Sequence, residues 1–234
     1  MVENNEQPNP SWWGLVSSLA ELHQWELDNL PLLSTLTCRH LYCRMAEETF
    51  HPELALTKAL KDGRVKAGAL ELKQIEVTPI TAAMRRMCRG LEFDICEMAM
   101  TTYLCARALG KPFTAIPVFV TRNFHHWAIF TNAKSGIREP KDLEGRTVGV
   151  NRGYTVTTGL WARGMLQHEY GVDLDKITFV PTDDEHVSEF VAPKNVDYAR
   201  FRGRKLDELL ANGEIDAAIG EIGATASPDI KPLI

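Results

Sequence analysis

The stretch Arg146–Gly171, RTVGVNRGYTVTTGLWARGMLQHEYG, decides the fold. Its opening residues are short, β-branched and apolar, which predicts a strand from Arg146 to Val150. A turn containing Gly153 follows. From about Thr155 the apolar residues recur at helical spacing until Gly171, whose freedom to adopt positive φ suits a helix stop. A strand that turns directly into a helix is the building unit of a parallel α/β sheet. The turn has neither the G-x-x-x-x-G-K-[ST] nor the G-x-G-x-x-G spacing, so a nucleotide is not its expected guest. The free N–H groups at the helix start, with Arg152 beside them, favour an anion of the carboxylate kind.

The same alternation continues on both sides. Downstream, ITFVPT reads as a strand, Asp183–Arg204 as a long polar loop, KLDELLANG as a helix and IDAAIG as a strand. Upstream, Gly68–Val77 alternates apolar and polar residues as a strand should, and Pro79–Arg89 reads as a helix ending at Gly90. FDICEMA is a short strand, Thr101–Leu109 a helix stopped by Gly110, and FTAIPVFV and HWAIFTN two further strands. Before residue 52 the stretch Trp12–Leu36 allows one or two helices and shows no strand pattern. The expected organisation is an extension over residues 1–51, a first α/β lobe over 52–132 and a second over 133–234, with the crossing near Phe130–Gly136.

Composition narrows the function classes. A chain of 234 residues with 44% hydrophobic and 24% charged residues is ordinary for a globular protein. A net charge of −5, with Lys and Arg scattered, offers no basic stripe for a phosphate backbone, so nucleic acid is not an expected partner. Apolar runs fall short of a membrane span, and the N-terminus lacks the charged and apolar regions of a secretory signal, which points to the cytoplasm. Five cysteines without C-x-x-C spacing, including the pair in CRHLYC, suggest reduced thiols rather than a metal site or disulfides.

In open α/β sheets, ligands gather at the carboxyl ends of strands, and three stretches supply polar residues there. In DICEMAMTTY, Glu97 follows a strand, and Thr101 and Thr102 are placed to cap the next helix. In TRNFHHW, Arg122 offers a planar fork for a carboxylate; His125 and His126 face opposite sides of a strand, so one of them is structural. The third is the strand–turn–helix itself. The acidic TDDEH stretch, Thr182–His186, imitates a metal site, but a solvated loop explains it as well, so no metal is expected.

Several ordered blocks carry a resemblance. LALTKALKDGRVKAGALEL, LEFDICEMAMTTYLCARALGKPFTAIPVFVTRNFHHWAIFTN, the stretch from IREPKDLEG through GMLQHEYGV, and LLANGEIDAAIG are together similar to the 4,5-dihydroxyphthalate decarboxylase family, over about residues 52–232. The resemblance implies the two-lobed fold of type II periplasmic solute-binding proteins. It points to Glu97 and Tyr103 in the first lobe, to Arg122 and His126 in the R-x-F-x-H stretch, and to Asn151, Tyr154, Thr157 and Arg163 around the second-lobe turn and helix. The chain departs from the family pattern in two places. LAL runs straight into TKALKDG without the family's Gly- and Tyr-bearing turn, and SPDIKPLI ends where family chains continue, so an altered N-terminus, an early C-terminal stop and an incomplete first lobe are expected.

The implied activity is cofactor-independent decarboxylation of a hydroxylated aromatic dicarboxylate such as 4,5-dihydroxyphthalate. His126 would transfer the proton, Glu97 would orient or share it, and Arg122, Tyr103, Asn151, Tyr154, Thr157 and Arg163 would bind the substrate. The partner is a small aromatic carboxylate, with no membrane and with homo-oligomerisation left open. Two alternatives compete: a solute-binding protein of the ABC-transporter type, which shares the implied fold without catalysis, and an inactive truncated remnant.

Overall fold

The computed structural model describes residues 41–47, 59, 62–64, 70–116, 124–223 and 227–234. Within it Tyr42–Ala67 and Leu72–Ile234 form one compact unit, to which the following applies. The expected α/β class is the one observed, in two sheets. The helices expected within Trp12–Leu36, residue Arg122 and the end of FTAIPVFV lie outside the described residues; its first part, Phe113–Ile116, is irregular.

The first sheet has the strand order β2-β1-β3, with β1 at Leu41–Glu47, β2 at Leu70–Glu76 and β3 at Ile95–Cys96. β1 and β3 run parallel, Met45 opposite Ile95. Two helices follow its strands. Helix α1, Ile80–Gly90, buries Ala83, Met84, Met87 and Cys88, a stripe at i, i+1, i+4, i+5, with Ala83 and Met87 packed against Val77 and Phe93 and Cys88 against Ala106 and Val187. The helix stops one residue later than a glycine stop requires, because Leu91 takes the left-handed conformation (φ 49°) and donates its N–H to Met87. Helix α2, Met100–Ala108, buries Thr101, Thr102, Tyr103 and Ala106. β1 was not legible in the sequence.

The second sheet has the order β6-β5-β7-β4-β8. β5 (Thr147–Val150), β6 (Thr178–Pro181) and β7 (Ala217–Ile219) are parallel, while β4 (Ile129–Asn132) is inserted antiparallel between β7 and β8 (Ile230–Pro232). Helix α3, Thr157–His168, packs Ala162, Met165 and Leu166 against Ile129, Val148, Val150 and Phe179. Helix α4, Leu206–Ala211, covers the other face with Leu206, Leu209 and Leu210 against Val180, Ile215 and Ala218. Each such fully buried leucine contributes about 1.5–3 kcal/mol. Gly149 in β5 permits this close packing: a Cβ there would lie 2.6 Å from Ile215 Cδ1 and 2.7 Å from Leu206 Cδ2.

Because β5, β6 and β7 point the same way, their carboxyl ends place Asn151, Thr182 and Gly220 along one edge of the sheet. The Asn151 N–H donates to the Ile219 carbonyl, and the Thr182 N–H to the Val150 and Arg152 carbonyls, which fixes the turn after β5 against its neighbours.

Candidate functional site

The turn between β5 and α3 is wrapped around a carboxylate. Glu185, buried in the loop after β6, accepts the backbone N–H groups of Tyr154 and Thr155 (3.1 Å for the latter), the Thr155 hydroxyl and the Tyr198 hydroxyl at 2.5 Å. Four donors saturate the acceptor capacity of one carboxylate. Gly153 makes this approach sterically feasible, since a Cβ there would lie 2.8 Å from Glu185 Oε1. The turn therefore binds a carboxylate, as its N–H groups predict, but in this structure that carboxylate belongs to the protein. Burial, then the bond to Glu185, raises the Tyr198 phenol pKa well above its ordinary value and keeps it a donor.

Arg163 closes the back of this cluster. It is 5% exposed, its Nη2 donates to the Tyr154 carbonyl at 2.8 Å, and its guanidinium carbon lies 3.5 Å from the Tyr154 ring centroid and 5.5 Å from that of Phe179. Burial lowers its pKa, opposed by Tyr154, Glu185 and Tyr198. Its Nη1 is buried and has no hydrogen-bond partner among the described residues. The Tyr154 ring also stacks on Phe190 (6.5 Å between centroids, 25° between planes).

The loop that carries Glu185 is held by the helices of the first sheet. From α1, Arg85 donates to the Asp183 carboxylate at 2.5 Å and the Asp184 carbonyl at 3.1 Å, and Arg89 donates to the carbonyls of Glu185 at 2.6 Å and His186 at 3.4 Å. From α2, the Thr102 hydroxyl lies 2.8 Å from His186 Nδ1, and the Thr101 hydroxyl 3.0 Å from that of Thr157 at the start of α3. Neither threonine caps its own helix, as their spacing had suggested; both are used in tertiary contacts. Burial, reinforced by Arg85 and Arg152, lowers the His186 pKa to about 4, so its imidazole is neutral at neutral pH. The TDDEH stretch is thus no solvated loop: Glu185 and His186 are buried. No group of three or more metal-ligating side chains occurs among the described residues.

Of the residues expected from the sequence, Tyr154 and Arg163 are in direct contact, and Thr157 stands at the same helix start, bonded to α2. Asn151 is half-buried at the end of β5 with its side chain against Gly220. Tyr103 is buried on α2 with its ring 6.2 Å from Phe113, and Glu97 is half-buried after β3, its carbonyl accepting the Cys96 thiol at 3.1 Å. His126 is not brought into this group. It lies in a 3-10 turn, 45% exposed, with Nε2 3.7 Å from the Glu169 carboxylate just past the C-terminal end of α3. A twelve-residue helix is roughly 18 Å long, and Thr157 is at its other end. His125 is half-buried, its pKa lowered by burial and by His126.

A cleft of about 340 Å³ opens beside the cluster, lined by Arg89, Asp184, Glu185, Ser188, Phe190 and Tyr198. Of the six, only Asp184 and Glu185 stand out in the sequence, as part of the TDDEH stretch and there as an imitation of a metal site. The available signal, a run of acids beside a histidine in a long loop, does not distinguish burial from exposure.

Residues 90–214, just over half of the chain, match the family model described as NMT1/THI5 like. The chain is 38% identical over 143 residues to the 4,5-dihydroxyphthalate decarboxylase of Comamonas testosteroni, covering 58% of this chain and 43% of that protein. It is 33% identical over 143 residues to the enzyme of the same name from Pseudomonas putida, covering 58% and 55%. The chain thus spans about half the length of these curated relatives. Among solved structures it is similar to the periplasmic aliphatic sulphonate binding protein SsuA from Escherichia coli, with 16% identity, TM-score 0.48, and coverage of 82% of this chain and 59% of that one.

Proposed function

The chain belongs to the NMT1/THI5-like family, and from that premise we propose that it decarboxylates a hydroxylated aromatic dicarboxylate of the 4,5-dihydroxyphthalate type. The observation that carries this reading is the similarity to two curated 4,5-dihydroxyphthalate decarboxylases over a 143-residue stretch. The structure adds a cleft of suitable size with aromatic walls, a cation and hydrogen-bonding groups, which suits a small aromatic acid. Among the described residues no helix is long and apolar enough to cross a membrane.

In such a substrate each carboxylate has a hydroxyl para to it. Loss of the phenolic proton pushes electron density onto the ring carbon that bears the departing carboxylate. That carbon takes up a proton, the carbon–carbon bond breaks, its electron pair restores the aromatic ring, and carbon dioxide leaves. The net change consumes one proton and needs no oxidant. We assign Glu97 to sharing that proton and give Tyr103, Asn151, Tyr154, Thr157 and Arg163, none of which is among the described residues lining the cleft, a supporting role around it. The position of His126 beside Glu169 gives no support to a role in proton transfer.

The test is incubation of the 234-residue chain with 4,5-dihydroxyphthalate and measurement of released carbon dioxide. Release above the uncatalysed background is expected. Binding of the dicarboxylate without release replaces the enzyme with a binding protein.

A further inference from the structure

We infer that the substrate carboxylate docks on Arg89, at the end of α1, and not on the N–H groups at the start of α3. The inference rests on the reading of the substrate as a hydroxylated aromatic acid. It follows from which donors and cations beside the cleft are already engaged.

The start of α3 is taken. Both oxygens of Glu185 carry two donors each, from Tyr154, Thr155 and Tyr198, so a second carboxylate could enter only by expelling a buried charge. Arg163 is enclosed behind the Tyr154 ring and bound to its carbonyl. Arg85 is paired with Asp183, and Arg202 with Asp184, each at 2.5 Å.

Arg89 differs from all of these. It lines the cleft, and its Nε and Nη2 are held by carbonyl oxygens, which fix its orientation without cancelling its charge. Among the described residues no carboxylate lies within ion-pair distance of it, and no acceptor meets its Nη1. It is the one cation among the described lining residues. An oriented, uncompensated guanidinium in a concave site is a carboxylate receptor.

The rest of the lining completes the ligand's outline. Phe190, backed by Tyr154, offers a face for an aromatic ring. Asp184 uses Oδ2 on Arg202, while among the described residues no donor meets its Oδ1, so it can accept a phenolic O–H. A cation and a hydroxyl acceptor in one aromatic-walled cleft match an acid that carries its carboxylate and hydroxyls on opposite edges of the ring.

Calorimetric titration of the 234-residue chain with 4,5-dihydroxyphthalate, phthalate and catechol tests this. The unmodified chain should bind the dihydroxylated dicarboxylate most tightly, with catechol and phthalate weaker because each lacks one half of the recognition. Arg89→Met should weaken binding of both dicarboxylates about 10- to 100-fold, the loss of a charge-assisted hydrogen bond, and leave catechol unchanged. Unchanged binding of 4,5-dihydroxyphthalate by Arg89→Met overturns the inference and leaves the decarboxylase reading standing. Binding that depends on Arg89 without carbon dioxide release supports the inference and removes the decarboxylase reading. If Arg89→Met loses catechol as well, Arg89→Lys decides: recovered dicarboxylate binding supports the receptor role, and no recovery overturns it. Absence of binding by the unmodified chain overturns it outright.

Discussion

The hydroxyl of Thr102 lies 2.8 Å from Nδ1 of His186, a buried contact between residues 84 apart in the chain. It joins helix α2 of the first sheet to the loop that carries Glu185, where burial requires an imidazole that stays neutral.

That requirement makes stability sensitive to acid. The His186 pKa falls from 6.5 to about 4, with burial the first cause, so between these values the unfolded chain binds a proton that the folded chain does not. The contribution is fully present above about pH 6.5 and is lost as pH falls towards 4. Thermal melts should show the midpoint dropping through this window, and His186→Gln should flatten that part of the profile. An unchanged profile in the variant would remove His186 as its source.

Glu185→Ala should destabilise the fold by about 3–5 kcal/mol, because it strands a buried cationic side chain and four donors without their acceptor. Urea unfolding measures this. Formate or acetate at tens of millimolar should restore part of the loss by filling the vacated carboxylate position, whereas chloride at equal ionic strength should not.

Arg163→Lys should cost about 1–3 kcal/mol, since a point charge cannot both stack on the Tyr154 ring and reach its carbonyl in the same plane. A change within error of zero in the same unfolding assay would show that the stacked guanidinium contributes no net stability.

His126→Ala should change stability by less than about 1 kcal/mol, as befits one half of an exposed ion pair. Its effect on carbon dioxide release separates the roles. A proton-transfer group is worth about 10²–10⁴-fold in rate, so near-unchanged release is expected if Glu97 serves the proton instead.

The sequence by itself determined the strands β4 to β7, the helices between them and their order along the chain, because hydrophobic alternation, helical spacing and glycine stops are local. Arg146–Gly171 became β5, the turn and α3 nearly as written, and the chemistry of the turn, N–H groups that favour a carboxylate, was legible too. β1 and the short β8 escaped notice, since neither Leu41–Glu47 nor Ile230–Pro232 alternates cleanly against turn residues. The identity of the carboxylate on the turn was a tertiary decision. Glu185 reaches Tyr154 across 31 positions and Arg85 reaches Asp183 across 98, and whether a run of acids is buried or solvated depends on which donors the fold brings to it. Local pattern marks a place that wants an anion; only the packing of α1, α2 and the 183–198 loop decides that the protein fills it and leaves Arg89 facing the cleft.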